Sequence, residues 1–122
     1  MRAQVIIKTG LAGVALCALP APAIAETLAQ LDAESRATDN AVTGIAQARQ
    51  QIGRGELLGA MATLERVLFN HPQSNEARAL HAGLLCRIDD RRGATVEFDA
   101  MRGSNVSPAL NDEARAPCRQ RS

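Results

Sequence analysis

The sequence contains no tryptophan or tyrosine and only two phenylalanines, Phe69 and Phe98. A surface that stacks nucleic-acid bases needs aromatic residues interleaved with basic ones, and this chain cannot supply them. Its 14 basic and 13 acidic side chains give a formal net charge of only +1. No basic stripe of the kind that binds phosphate backbones is visible. Nucleic acid is therefore not an expected partner.

The chain also lacks the short motifs of catalysis and metal binding. It has two histidines, His71 and His81, and no H-x-x-x-H, C-x-x-C or C-x-x-C-H element. His81 and Cys86 are five residues apart, a spacing that does not place both on one helix face. No Gly-x-Ser-x-Gly turn or phosphate-binding glycine loop occurs. We therefore expect no enzyme activity, no cofactor and no metal site.

Long apolar runs are confined to the first 25 residues. After a basic start, the apolar stretch Leu11–Leu19 has about half of the roughly 20 residues that a membrane-spanning helix needs. Two prolines follow it, and then the triplet Ala23-Ile24-Ala25, which has a small residue at each end. This pattern is typical of an export signal cleaved between Ala25 and Glu26. We expect residues 1–25 to be removed, which makes the mature chain periplasmic or secreted, without stable membrane insertion.

Two alternatives to this cleavage remain open. The first is an uncleaved amphipathic anchor. The second is a lipoprotein cut just before Cys17, but the residue before a lipidated cysteine is normally Gly, Ala or Ser, and here it is Leu16. The site after Ala25 is the better match, so a lipid anchor at Cys17 is the less favoured possibility.

Without residues 1–25, 97 residues remain, with 12 basic and 13 acidic side chains. This is the length of one small domain whose core is marginal without a covalent link or a partner. No segment alternates apolar and polar residues over a convincing length, and the β-branched residues are scattered. The sequence therefore predicts an all-α domain.

Apolar spacing, capping residues and prolines predict five helices between residues 41 and 116. They span residues 42–53, Glu56–Phe69, Asn75–Arg87, about 90–102 and Ala109–Ala116. Residues 26–40 form a polar lead-in, loose or at most a short weak helix, with Leu28 and Leu31 as anchors. Pro117 is expected to end the fifth helix and leave a basic tail over residues 117–122.

The stretch from Ala48 to Met101 repeats itself with a period of 34 residues. The paired positions are Ala48 with Ala82, Gly59 with Gly93, Ala60 with Ala94, Leu64 with Phe98, and Val67 with Met101. Small residues coincide with small ones and large with large. A period of this length is typical of stacked helix pairs, each burying its apolar face against the next.

These residues resemble the tetratricopeptide repeat family, in which a 34-residue unit forms two helices, A and B. The first unit matches at Ala48, Ala60, Leu64, Val67 and Pro72, and the second at Ala82, Leu85, Ala94, Phe98 and Met101. Gly44 and Arg78 stand where the family usually has a bulky residue. The resemblance spans about Ala41 to Val106. It implies an α-solenoid fragment of two helical hairpins, with the fifth helix covering the second hairpin.

The resemblance also implies protein binding through a concave face lined by the A helices, residues 42–53 and 75–87. On that face we expect Arg49, Asn75 and Arg87 to contact a protein or peptide, because guanidinium groups suit carboxylates and backbone carbonyls. The alternative for each is a solvated surface residue. A second possible function is a structural or regulatory subunit that completes a larger helical array, because such arrays generally need three repeats.

The cysteines provide one further expectation. Cys17 is lost with the signal, so Cys86 and Cys118 are the two thiols of an exported domain. An even pair outside the cytoplasm favours a disulfide. The alternative is a buried free Cys86 with Cys118 exposed in the tail after Pro117, and the sequence leaves both possibilities open.

Overall fold

The computed structural model describes residues 21–120, with side chains from Thr27 onward. Its helices are α1 (Ala21–Thr38), α2 (Ala41–Gly53), α3 (Leu57–Asn70), α4 (Asn75–Arg87), α5 (Arg91–Ala100) and α6 (Pro108–Arg119). The described part of the chain contains no strand, which confirms the all-α class. Predictions for residues 1–20, including Cys17, and for residues 121–122 lie outside the described residues.

Polar side chains fix where four of the helices begin. Asn40 accepts a hydrogen bond from the Val42 amide at the start of α2 (2.8 Å), and Ser74 accepts one from Ala77 in α4. The Asp90 side chain accepts a hydrogen bond from the Gly93 amide in α5, and the Ser107 side chain accepts one from the Leu110 amide in α6. Each cap satisfies an amide that the first turn leaves without a backbone partner.

The helices pack as two hairpins, α2 with α3 and α4 with α5, joined by contacts between α3 and α4. The main core lies where α2, α3 and α4 meet. It consists of Ile45, Ala48, Ala60, Leu64, Val67, Ala77, Leu80 and Leu84. Every residue of α4 from Ala79 to Cys86 is buried, because this helix has neighbours on several sides. Such a helix is the centre of the molecule rather than an amphipathic surface element.

The 34-residue repeat coincides with the packing of the hairpins. Ala48, Ala60 and Ala82 have no exposed surface, and Ala94 has 1%. Leu64, Val67 and Met101 are buried as well, and Phe98 is half-buried. Gly44 fits the same pattern, because a Cβ atom there would overlap the side chain of Val67.

The first helix differs from the expected lead-in. Residues 26–40 were expected to be loose or to form a short weak helix, whereas α1 runs for 18 residues and crosses the predicted cleavage position after Ala25. Ala, Leu, Gln and Glu dominate this stretch, and all are good helix formers. Its last turns contact α2 and α3. Thr43 of α2 donates a hydrogen bond to the Ala37 carbonyl (2.6 Å), and Arg66 of α3 forms an ion pair with Glu34 (3.3 Å).

The last helix also differs from the expectation. Pro117 was expected to end it at Ala116, but α6 continues to Arg119 with Pro117 inside. A proline in the last turn removes a single backbone donor, and the packing of α6 along α4 holds the helix regardless. Cys118 is therefore half-buried within α6 rather than exposed in a tail. Among the described helices, none is both long and apolar enough to cross a membrane.

Candidate functional site

One face of the molecule carries a groove to which α2, α4 and α6 all contribute. The groove is defined here by Ile52, Leu57, Leu80, Gly83, Leu84, Arg87, Glu113, Ala114, Ala116, Pro117 and Gln120. Its floor is apolar and comes mainly from α4, while Arg87, Glu113 and Gln120 supply the polar atoms. The helices α2 and α4 correspond to residues 42–53 and 75–87, along which the sequence analysis expects a partner to bind.

Small residues let α6 form one side of this groove. A Cβ atom on Gly83 would lie 3.1 Å from the Ala114 carbonyl oxygen, so a larger residue at this position would require α6 to move slightly away from α4. Ala79, Met101 and Ala114 form a buried cluster beside the contact, with Phe98 packed against it. The sequence predicted that the fifth helix would cover the second hairpin, and α6 packs there.

A disulfide fixes α6 to α4 at the end of the groove. Cys86 and Cys118 are bonded, with Cα atoms 5.0 Å apart and a sequence separation of 32. Cys86 is 4% exposed, at the end of α4, where it packs with Leu85 and Ala94. The cross-link closes a loop that contains all of α5, so it constrains the second hairpin and α6 as one unit.

Arg49, one of the predicted partner-binding residues, is bonded to carboxylates of the chain itself. Its Nη1 lies 2.7 Å from Oε1 of Glu113 on α6, and its Nη2 lies 3.2 Å from Oε1 of Glu76 on α4. The hydrogen bond to Glu113 is the largest factor that raises the pKa of Arg49, and the bond to Glu76 acts in the same direction. One guanidinium thus connects α2, α4 and α6.

The other two predicted partner-binding residues occupy opposite ends of α4. Arg87 is exposed, lines the groove and forms no ion pair with any residue in the described range 21–120. Asn75 is half-buried at the first position of α4, about 18 Å away along the helix axis. The structure therefore places Arg87 in the groove, connects Arg49 to it through Glu113, and leaves Asn75 distant.

A buried polar cluster joins α3, α4 and α5. Nδ1 of His81 lies 3.0 Å from Oε1 of Glu97, whose other oxygen accepts a hydrogen bond from Arg78 (2.9 Å). Nε2 of His81 is buried without a hydrogen-bond partner among the described residues, and the nearest carboxylate oxygen, from Glu65, is 3.6 Å away. Glu97 of α5 thus contacts two side chains of α4, Arg78 and His81.

The sequence analysis did not identify the glutamates that bond Arg49, or the glutamate that contacts Arg78 and His81. Glu76, Glu97 and Glu113 meet their partners across separations of 27, 16 and 64 residues. No spacing rule along one helix connects residues so far apart. Within the described residues, no group of three or more His, Cys, Asp and Glu side chains could hold a metal ion.

Comparisons with protein-family models, with curated proteins and with solved structures found no match to this chain. The tetratricopeptide resemblance therefore rests on the residues quoted above, and the function must be argued from the groove.

Proposed function

We propose that this chain is an exported, non-catalytic interaction module that binds a segment of another protein in the cell envelope through the groove. The observation that carries this proposal is the apolar floor formed by Ile52, Leu80 and Leu84, with Arg87 at its edge. Arg87 forms no ion pair with another residue of the range 21–120. Protein interfaces combine an apolar centre with a polar rim in which arginine is enriched. The groove has both parts.

A polypeptide segment suits this groove better than a small molecule. Small-molecule sites bury most of the ligand surface in a concave pocket. The groove is open to solvent and is bordered by helices on both sides. An extended segment can place alternate side chains on the apolar floor while its backbone stays partly solvated.

Export is supported by two independent features. The first 25 residues carry the charge and apolar pattern of a signal peptide. The bond between Cys86 and Cys118 is of the kind that persists in oxidising compartments and is rare in the cytosol. Tetratricopeptide-like proteins also occur in envelope assembly and secretion, which agrees with a periplasmic partner.

Site-specific photocrosslinking tests this function. A photoreactive amino acid replaces Gln120, which lines the groove, and a matched variant carries it at Arg92, an exposed residue of α5 outside the groove. We expect a discrete crosslinked partner from position 120 in the periplasm, reduced by Arg87→Glu, and none from position 92. Equal crosslinking from both positions would contradict a binding groove.

A second candidate function is a subunit that completes a larger helical array. It is favoured by α1, where every residue from Thr27 to Ala33 is exposed and Leu28 and Leu31 are 58% and 53% exposed. Exposed leucines on a terminal helix suit stacking on another repeat. Analytical ultracentrifugation separates the candidates: a stable monomer favours the free-standing binder, whereas an oligomer abolished by Leu28→Glu and Leu31→Glu favours the subunit.

A further inference from the structure

The disulfide borders a small cavity that shares no residue with the groove. The cavity is open to solvent, and both cysteines line it together with Arg91 and Phe98 of α5 and Arg115 of α6. None of these residues lines the groove. Cys118 is half-buried, whereas Cys86 is 4% exposed. A reagent can therefore reach the bond without entering the groove, and it reaches the sulfur of Cys118 more readily than that of Cys86.

Two arginines at this cavity favour attack by a thiolate. The guanidinium of Arg115 lies over the ring of Phe98, 4.0 Å from its centroid, and both residues line the cavity. Arg91 lines it as well, and its Nη1 donates a hydrogen bond to the carbonyl of Cys118 (3.3 Å). Positive charge beside a cysteine stabilises an anionic sulfur, whether it attacks or leaves. The site thus combines access with the charge that suits thiol–disulfide exchange.

The bond fixes the last turn of α6, which forms one end of the groove. Ala116, Pro117 and Gln120 line the groove on either side of Cys118 in the sequence. Pro117 has no amide hydrogen, so this turn has one backbone hydrogen bond fewer than a regular helix end. The hydrogen bond from Arg91 to the Cys118 carbonyl is exposed, and water competes for both groups. Without the disulfide, little holds this turn against α4.

The rest of α6 is held independently of the disulfide. Ala114 is buried and lies close to Gly83, and Leu110 packs against the cluster that contains Ala79 and Met101. These contacts lie one to two turns before the cysteine of α6, and neither cysteine takes part in them. Breaking the bond should therefore release the last turn while the first part of α6 stays packed on α4.

We propose that the bond between Cys86 and Cys118 is a site of thiol–disulfide exchange, through which a dithiol protein of the envelope opens the end of the groove. A thiolate of that protein attacks Sγ of Cys118, and the sulfur of Cys86 leaves and takes up a proton. The second thiol of the reductant then displaces Cys118, so the reductant becomes the disulfide and this chain gains two electrons and two protons. The inference rests on the proposed function of the groove and adds a means of regulating it.

Reduction by dithiothreitol, a neutral dithiol, tests whether the exchange occurs in the folded protein. Free thiols are alkylated at intervals and counted by intact mass, in buffer and at urea concentrations below the unfolding transition. We expect a rate that does not depend on urea, because the bond is reached in the native state. A rate that rises with urea as steeply as global unfolding does would mean that only the unfolded chain reacts, and would overturn the proposal.

Two matched variants test the charge at the cavity. Arg115→Gln removes a charge that lines the cavity, whereas Arg92→Gln removes an exposed charge of α5 that does not. We expect Arg115→Gln to slow the reduction about two- to fivefold, the range of exposed charge contributions, and Arg92→Gln to leave the rate unchanged. Equal rates in the two variants and the unchanged protein would contradict the assignment of this cavity as the exchange site.

Hydrogen exchange of the reduced protein locates the consequence. We expect the amides of residues 118–120 to exchange about tenfold faster or more, while those of α4 and of the first part of α6 keep their protection. Unchanged protection of the last turn, or a loss of protection throughout the domain, would overturn the opening of the groove. These measurements need no ligand, so their failure leaves the crosslinking test of the groove unaffected.

Discussion

Small side chains set the distances between helices in this protein. Ala60 on α3 has no exposed surface and lies in the core formed with α2 and α4, whereas Ala62, two residues away on the same helix, is exposed. The two alanines have the same helix propensity, so a substitution at each separates packing from local preference. The 34-residue repeat places Ala94 in the position that corresponds to Ala60.

We therefore expect Ala60→Leu to destabilise the fold by about 1 to 3 kcal/mol, because added methylenes in a filled core force neighbouring helices apart. Ala62→Leu should change the stability by less than about 0.5 kcal/mol, as exposed substitutions usually do. Urea unfolding followed by circular dichroism measures both. Equal midpoints for the two variants would show that the repeat alignment does not locate the packing positions.

The cluster around His81 gives a second prediction for single residues. Glu97 accepts a hydrogen bond from Arg78 and faces Nδ1 of His81, and its side chain is only 17% exposed. Glu97→Gln removes the charge that compensates Arg78 and leaves a partly buried group without its partner. We expect a loss of about 1 to 3 kcal/mol in the free energy of unfolding.

The matched control for Glu97 is Asp99→Asn, which removes an exposed carboxylate that pairs with Arg102 on the surface. Exposed pairs contribute between about 0 and 1 kcal/mol. Chemical denaturation of both variants provides the comparison. A smaller loss for Glu97→Gln than for Asp99→Asn would mean that the cluster does not hold α4 and α5 together.

At the scale of helices, the position of α6 determines whether the groove exists. This helix supplies Glu113, Ala114 and Pro117 to the groove, and it is fixed by the contact at Gly83 and by the bond between Cys86 and Cys118. Without α6, one side of the groove would be missing and the buried surface of α4 would be open to solvent. The disulfide is thus expected to matter for both stability and binding.

Cys118→Ser tests this dependence. In the chain-entropy account, a cross-link that closes a loop of this length contributes about 3 to 4 kcal/mol, a large part of the stability of a small domain. We expect the thermal midpoint of the variant to fall, and non-reducing peptide mapping of the unchanged protein to show one cross-linked fragment. Two thiols that react readily with a maleimide in the folded protein would reject the bridge.

At the scale of the whole molecule, the predicted cleavage of the export signal would determine which residues are present in the folded chain. The predicted cleavage after Ala25 lies inside α1, so processing would leave the last 13 residues of that helix, Glu26–Thr38. The final turns of α1 contact α2 and α3, and these contacts include the ion pair of Glu34 with Arg66 (3.3 Å). Removing residues 1–25 therefore leaves these contacts in place.

Mass spectrometry of the protein recovered from the periplasm checks the processing. We expect a mature chain that begins at Glu26, because Ala23 and Ala25 provide the small residues that signal peptidases require. A chain that begins at a lipid-modified Cys17 would instead show that the protein is anchored in the membrane.

Much of the fold follows from local features of the sequence. Asn40, Ser74 and Ser107 start helices because their side chains accept bonds from nearby amides, an interaction that depends on three or four residues. The 34-residue repeat likewise records which side chains must be small or large at a helix crossing. The all-α class and the starts and ends of α2 to α4 were therefore predictable to within one residue.

Tertiary structure decided the features that depend on residues distant in the sequence. Pro117 continues α6 because packing on α4 outweighs the loss of one backbone bond. The pairing of Arg49 with Glu113, 64 residues away in the sequence, is one such feature. The sequence determines the chemistry of each side chain, and only the folded arrangement of α2, α4 and α6 determines which oppositely charged groups meet, because Coulombic attraction depends on distance in space.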